Sequence, residues 1–138
     1  SAPLVFHDEF EGRVYARTGW QEEGMWAGYS NARLRIVAEG EEHLIGLEDQ
    51  QAPLIFPGAA IIYGEPPLSF NGLIPDGKAL YVVGLKEGAG YEVRVNRSRA
   101  REQYAGKGGV LVIHDRPDRK LPEIDWESRV RLRVRTAN

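Results

Sequence analysis

Hydrophobic and polar residues alternate along much of the chain. In ARLRIVAE, Leu34 and Ile36 fall on one side of an extended strand, whereas Arg33, Arg35 and Val37 fall on the other. The segments YEVRVNR and SRVRLRVRT repeat the pattern. Successive strand residues point to opposite faces of a sheet. The alternation therefore predicts half-buried antiparallel strands.

Shorter apolar runs without alternation predict strands that are more fully buried. They are PLVF, HLIGL, PLIF, AIIY, ALYVVGL and GVLVIH, and the turn-forming residues between them include many of the 16 glycines and 8 prolines. Only RSRAREQYAG, at 97–106, resembles a helix. We therefore predict one domain over 1–138, a single antiparallel β-sandwich of jelly-roll or Greek-key type, with at most one short helix and about eight to ten strands.

Tyr91 begins one of the alternating segments and follows the corner LKEGAG. A tyrosine in this position resembles the tyrosine corner of Greek-key sandwiches, in which the hydroxyl bonds to the backbone a few residues upstream. We expect Tyr91 to have a structural role.

Composition excludes several classes of protein. The chain has 138 residues, of which 42% are hydrophobic and 28% charged, so neither a disordered chain nor a membrane span is expected. Cysteine is absent, which excludes disulfides, zinc–thiolate sites and thiol catalysis. The compartment stays open, with an extracellular or cell-surface location slightly favoured.

Charge is distributed unevenly although the net charge is only −2. Residues 1–70 contain 4 Lys and Arg against 11 Asp and Glu, whereas residues 71–138 contain 14 against 9. A basic half is compatible with nucleic-acid binding, but interleaving of the two halves in one sandwich would cancel much of the difference. We favour the second interpretation, and nucleic acid is not the expected partner.

Three aromatic residues lie in a polar, glycine-rich stretch, which predicts a surface for stacking a sugar ring. The proposed platform is Trp20, Trp26 and Tyr29, with Glu22, Glu23 and Asn31 as polar partners and Arg94, Arg97 and Arg99 favouring an acidic sugar. The alternative is that the indoles close one end of the core, because tryptophan buries a large apolar area.

The acidic segment HDEFEG suggests a second candidate site. Asp8, Glu9 and Glu11 are hard oxygen donors at a strand end and would suit a structural calcium ion. The alternative is a set of solvated charges that discourage pairing of an edge strand. No other cofactor is expected.

Catalytic residues are not marked by the sequence. His43, with Glu48 and Asp49 nearby, is the one arrangement resembling a general acid and base. No serine lies in a nucleophile elbow, and no two carboxylates are marked as a glycosidase pair. The prediction is a non-catalytic protein, with a small polysaccharide-active enzyme as the third alternative.

Arginine-rich strands are open to two interpretations. The arginines of SRVRLRVRT project on one face, where they either pair with acids of the first half of the chain or bind an anionic ligand. We favour ion pairing, and aromatic residues of the kind that bind single-stranded nucleic acids are not interleaved with these arginines.

Two segments resemble a known family. GRVYARTGWQEEGMWA is similar to the start of the β-sandwich domain of heparinase-type polysaccharide lyases, and LYVVGLKEGAGYEVRV, AGKGGVLVIHDRP and VRLRV resemble terminal β-modules of related carbohydrate-processing proteins. The resemblance implies a glycan-associated sandwich. The family's helical toroid has no counterpart here, and its histidine-rich catalytic stretch corresponds only to EEHLIGLEDQ.

The sequence thus predicts a non-catalytic carbohydrate-binding or accessory module, with an acidic polysaccharide as the candidate ligand. The alternative is a structural or assembly domain of an appendage, virion or tail that binds another protein subunit, for which QQAPLIFPGAAIIYGEPPL is the candidate contact segment.

Overall fold

The described part of the chain is built entirely from β-strands. A computed structural model describes residues 5–19, 24–46, 48–49, 52–74, 79–114 and 129–137. Within these ranges it contains no helix and thirteen strands: β1 (Val5–Asp8), β2 (Arg13–Arg17), β3 (Trp26–Ser30), β4 (Arg33–Ala38), β5 (Glu41–Ile45), β6 (Leu54–Phe56), β7 (Ala59–Tyr63), β8 (Leu68–Gly72), β9 (Ala79–Val83), β10 (Gly90–Val95), β11 (Arg101–Tyr104), β12 (Leu111–His114) and β13 (Val130–Thr136). The predicted all-β fold is confirmed.

The strands form three sheets in the described residues. Sheet A has the order β1-β2-β3-β4-β5, sheet B the order β12-β9-β7-β6, and sheet C the order β11-β10-β13-β8. Every pairing is antiparallel except that of β7 with β9, which is parallel. Sheet A is a simple meander in which each strand pairs with the next.

Sheet B lies between the other two sheets and is buried on both faces. In β7, Ala59, Ile61 and Tyr63 belong to the core shared with sheet A, whereas Ala60 and Ile62 belong to the core shared with sheet C. A strand covered on both faces needs apolar residues at every position, which accounts for the continuous runs AAIIY and ALYVV. The sheets pack face to face as expected of a sandwich, but in three layers and with more strands than predicted.

The burial of β4, β10 and β13 follows the alternation of their sequences. Leu34 and Ile36 of β4 are buried, as are the odd-numbered residues of β10 and Val130, Leu132 and Val134 of β13. Tyr91 is buried, and its hydroxyl oxygen accepts a hydrogen bond of 2.8 Å from the Lys86 backbone N–H. The structural role predicted for Tyr91 is confirmed.

Several local predictions were wrong. The run PLVF was expected to be buried, but its described residues belong to the edge strand β1, and Phe6 is 51% exposed. The predicted helix at 97–106 contains β11, whose pairing with β10 overrides the helix propensity of its residues. The run HLIGL was expected to be buried, but β5 is the edge strand of sheet A and its Leu44 is 54% exposed. An edge strand is covered by few neighbouring residues, so apolar residues in its sequence do not show that it is buried.

Two buried tyrosines connect sheet A to the rest of the molecule. The Tyr29 hydroxyl donates a 2.6 Å hydrogen bond to the carbonyl of Gly108. The Tyr63 hydroxyl, from sheet B, lies 2.9 Å from the carbonyl oxygen of Ala32 and 3.1 Å from that of Ile45. The two rings pack edge to face, with centroids 6.1 Å apart. These contacts fix the β3–β4 and β5 ends of sheet A against sheet B.

No helix in the described ranges has the length and apolar character required to cross a membrane.

Candidate ligand-binding face

The outward surface of sheet A carries aromatic side chains on adjacent strands. Tyr15 of β2 pairs with Gly28 of β3, which pairs with Arg35 of β4. Trp26 lies two residues before Gly28 and therefore on the same face. We call this surface the aromatic face, defined by Tyr15, Trp26, Gly28, Arg33 and Arg35.

Tyr15 and Trp26 meet above Gly28. Their ring centroids are 6.3 Å apart and their planes are inclined by 41°, so the rings form an open angle rather than a flat shelf. A Cβ atom at Gly28 would lie 3.1 Å from the Tyr15 ring and 3.3 Å from the Trp26 ring. Glycine at this position therefore lets both rings lie close to the backbone of β3, where they are only half-buried.

Four arginines surround the ring pair, and they are the only Lys or Arg residues among the first 70. Arg13 and Arg17 share the outward parity of Tyr15 on β2, and Arg33 and Arg35 share that of the exposed positions on β4. Among the described residues, most acids of the same half lie in turns, and Glu41 and Glu42 lie on the edge strand β5, so the central strands β2 and β4 present a basic surface. This distribution favours an anionic ligand over a cationic one.

Two adjoining depressions lie on this face. The larger, of about 490 Å³, is lined by Tyr15, Trp26, Gly28, Ser30, Asn31, Arg33, Arg35 and Leu44. The smaller, of about 280 Å³, is lined by Arg17, Gly19, Gly24, Met25, Trp26, Arg35, Val37 and Glu42. Trp26 and Arg35 belong to both, so an elongated ligand that occupied the two depressions would pass over these side chains.

Arg35 is held in place from one side. Its Nε lies 2.8 Å from a carboxylate oxygen of Glu42, and both side chains are about half exposed. This contact is made by Nε, and the guanidinium also has two terminal nitrogens that are hydrogen-bond donors. The terminal nitrogens of an arginine can donate two parallel hydrogen bonds to one carboxylate. Arg35 is thus suited to binding an acidic group beside the Trp26 ring.

The predicted aromatic platform is only partly reproduced. Trp26 and Asn31 line the larger depression, as the prediction requires. Tyr29 does not, because it lies three residues from Trp26 along a strand and therefore faces the core, where it is 0% exposed. The aromatic pair on this face is therefore Trp26 with Tyr15, and Tyr29 is a core residue. Trp20, Glu22 and Glu23 lie outside the described residues.

The arginines predicted to select an acidic sugar lie on the opposite side of the molecule. Arg94 faces outward from β10 in sheet C, and Arg97 and Arg99 are exposed in the turn that follows. Sheet B separates sheet C from sheet A, so these arginines are not brought together with Trp26. The separation of these arginines from Trp26 along the sequence does not predict that they lie in different sheets, because a β-fold can place any two strands in different layers.

Sequence reasoning missed Tyr15, Arg33 and Arg35 as members of the site. RVYAR has the period-two pattern that places Tyr15 on the exposed side of β2 between two arginines. The alternation of β4 likewise directs Arg33 and Arg35 outward. The alternation in RVYAR thus indicates that Tyr15 is exposed. It assigns Tyr15 to a site with Trp26 and Arg35 only once β2, β3 and β4 are known to be neighbours.

The proposed calcium ligands lie in the turn between β1 and β2. One carboxylate oxygen of Asp8 accepts hydrogen bonds of 3.1 Å from the backbone N–H groups of Phe10 and Glu11. Glu9 and Glu11 are exposed. Within the described ranges, no three acidic or histidine side chains converge in a manner that would hold a metal ion. Asp8 therefore has a visible role in stabilising the turn, as an alternative to metal binding.

His43 is exposed on β5, and its Nε2 lies 3.7 Å from a carboxylate oxygen of Glu41. Asp49 forms a local turn, accepting a 3.0 Å hydrogen bond from the Gly46 N–H. Neither His43 nor Asp49 lines the two depressions of the aromatic face. The arrangement thus gives no geometric support to an acid–base pair acting on a ligand bound there.

Comparison of the chain with protein-family models, with curated proteins and with solved structures found no match.

Proposed function

We propose that the protein is a non-catalytic carbohydrate-binding module that binds an acidic glycan on the aromatic face. The observation that carries the proposal is the half-buried Trp26–Tyr15 pair over Gly28, surrounded by four arginines. Aromatic rings offer an apolar surface to the C–H groups of a sugar, while arginine side chains bind its carboxylates. The combined depressions have the size of a site for a small ligand.

The position of the site on a sheet, rather than in a deep pocket, favours a polymer over a free monosaccharide. The outward surface of sheet A extends across five paired strands. Both depressions open on this surface and share Trp26 and Arg35. A chain of two or more sugar units would contact both depressions at once, with an acidic group near Arg35.

The direct test is calorimetric titration with matched neutral and uronic-acid oligosaccharides. We expect the acidic ligand to bind more tightly, and Trp26→Ala and Tyr15→Ala each to weaken binding by about tenfold or more, because each removes a large apolar contact. Arg33→Gln should reduce the preference for the acidic ligand while leaving neutral binding nearly unchanged.

Tyr104→Ala is the matched control. Tyr104 is an exposed aromatic residue, 66% accessible, but it lies on β11 of sheet C. Its removal should leave glycan affinity unchanged. Equal losses in Tyr104→Ala and Trp26→Ala, or no binding of any oligosaccharide at millimolar concentration, would refute the proposal.

A second candidate function is assembly with another protein subunit through the same face. Phe6 and Leu44 lie at the two ends of the row that contains Tyr15 and are 51% and 54% exposed. Phe6 is the direct cross-strand partner of Tyr15, so it extends the exposed aromatic surface, and contiguous exposed apolar surface is typical of docking sites. The segment predicted earlier for such a contact is less suited, because its strand β7 is buried in sheet B.

Light scattering coupled to size-exclusion chromatography distinguishes the two functions. A monomer that binds glycan supports the first. A stable oligomer that dissociates in a Phe6→Ser, Leu44→Ser variant supports the second.

A further inference from the structure

Sheet C presents a second basic surface on the far side of the molecule from the aromatic face. Its outward positions include Arg131 and Arg133 of β13 and Arg94 of β10, and Arg129 is exposed immediately before β13. The neighbouring strand β8 contributes neutral Ser69 and Asn71, which pair with β13 residues. We call this surface the arginine face, defined by Arg94, Arg129, Arg131, Arg133, Ser69 and Asn71.

Among the residues that the structure describes, acids of the first half of the chain form no ion pair with this surface. The strands next to β13 are β10 and β8, whereas the described acids of the first half lie in β1, in β5 or in turns. Among the described residues, Arg135 is the β13 arginine with an ion pair, at 2.8 Å from Glu92. Arg94, Arg131 and Arg133 have no carboxylate within salt-bridge distance in the described ranges.

Arg94 and Arg133 are direct cross-strand partners. Like charges opposite each other in an antiparallel pair are destabilising. A sheet with a solvated outer face accepts neutral polar residues at such positions, as Ser69 next to Arg133 illustrates. The juxtaposition therefore lowers stability in the free protein and would be relieved by an anion bound between the two guanidinium groups.

The shape of the surface restricts the ligand. The arginines of this face lie on two adjacent strands about 5 Å apart, or directly before β13, and extend over positions 129 to 133, about 14 Å along the chain. On the other side of β10, Glu92 faces Glu102 of β11, so the basic strip ends there. A strip of this width fits one extended polymer chain. The described residues around it include no helix that could enter a nucleic-acid groove, and its members include no aromatic residue that could stack on a base.

We propose that the arginine face binds a linear acidic polysaccharide through its carboxylate or sulfate groups. Arg94 and Arg133 bind one anionic group between them, Arg129 and Arg131 bind the next along the chain, and Ser69 and Asn71 bond to sugar hydroxyls. This site does not depend on the aromatic face, which lies in another layer and would recognise sugar rings rather than charge alone.

The test measures binding to immobilised heparin and to polygalacturonate, with dextran as the neutral polymer and a short DNA duplex as the competing polyanion. The measurements are made in the natural sequence and in Trp26→Ala, so that any contribution of the aromatic face is separated. The Arg94→Gln, Arg133→Gln double variant should bind at least one acidic polysaccharide about tenfold or more weakly at physiological salt, since it removes two positive charges that attract the polyanion.

Arg101→Gln is the matched control, because Arg101 is exposed on the same sheet but pairs with inward-facing Val93. The affinity of Arg101→Gln for the acidic polysaccharide should stay within about twofold of that of the natural protein. The affinity of the double variant should also depend less on salt concentration. The single variants Arg94→Gln and Arg133→Gln should each give part of the loss. Binding of neither acidic polysaccharide at physiological salt, equal losses in Arg101→Gln and the double variant, or tighter binding of DNA than of either polysaccharide would overturn the proposal.

Discussion

Gly109 is required by a backbone contact as well as by its conformation. Its φ is +80°, and a Cβ atom there would lie only 1.9 Å from the Leu85 carbonyl oxygen. Gly40 has a nearly identical φ of +78° but no atom within 4 Å of the same position. Substituting alanine at Gly40 and at Gly109 therefore distinguishes the energetic cost of a left-handed backbone from that of a steric clash.

We expect Gly40→Ala to lower the free energy of unfolding by about 1 kcal/mol, the cost of a left-handed non-glycine residue. Gly109→Ala should cost about 3 kcal/mol or more, because the backbone of 85 or 109 must also move. Urea denaturation of the two variants measures the difference. Equal losses would show that the approach to Leu85 has no energetic consequence.

The residue scale also explains why the aromatic site was only partly predictable. Trp26 and Tyr29 were grouped because they are close in sequence, on the assumption that their segment is a loop. The segment is strand β3, in which residues three apart face opposite sides. Parity along the strand, applied to RVYAR as well, indicates Tyr15 rather than Tyr29 as the companion of Trp26.

At the scale of elements, alternation was a reliable indicator where a strand has one covered and one open face. Strands β4, β10 and β13 follow their patterns. The patterns of edge strands β5 and β11 were misleading, since HLIGL indicated a buried strand and 97–106 a helix. A strand with little cover has no requirement for apolar residues at alternate positions. The apolar runs of β7 and β9 indicated that these strands are buried. They did not indicate that sheets A and C cover the two faces of sheet B.

Tyr63 joins elements of two sheets, and its titration reports on that junction. Burial is the largest cause that raises its pKa to about 12, with the nearby Tyr29 and acidic side chains acting in the same direction. An unfolded tyrosine has a pKa near 10. The folded state therefore holds the phenolic proton more strongly, and its contribution to stability is full below about pH 10 and lost as the pH rises toward 12.

Tyr63→Phe should be less stable than the natural protein at neutral pH by about 1 kcal/mol, because the carbonyls of Ala32 and Ile45 lose a partner. The difference should shrink above pH 10. Denaturation at several pH values, with tyrosinate absorbance followed in parallel, measures both effects. A difference that grows with alkaline pH would contradict the assignment.

At the scale of the whole molecule, the charge of the sequence halves does not correspond to the charge of the layers. The net charge is −2, yet both outer sheets present arginines. Acids of the described chain concentrate in turns, including Glu9, Glu11, Glu39, Glu48, Asp49, Glu65 and Glu87. The placement of charges depends on which residues of each strand face outward and on which sheets are outermost. The amino-acid composition gives neither kind of information.

The central claim is that ligand binding occurs on the outward surface of sheet A around Trp26. Nuclear magnetic resonance titration of the labelled protein with a uronic-acid oligosaccharide tests it most directly. The predicted result is that chemical shifts change at the Trp26 indole N–H and at the amides of Tyr15, Gly28 and Arg35, while those of buried Tyr91 stay constant. Changes confined to residues away from sheet A, or none at saturating ligand, would contradict the claim.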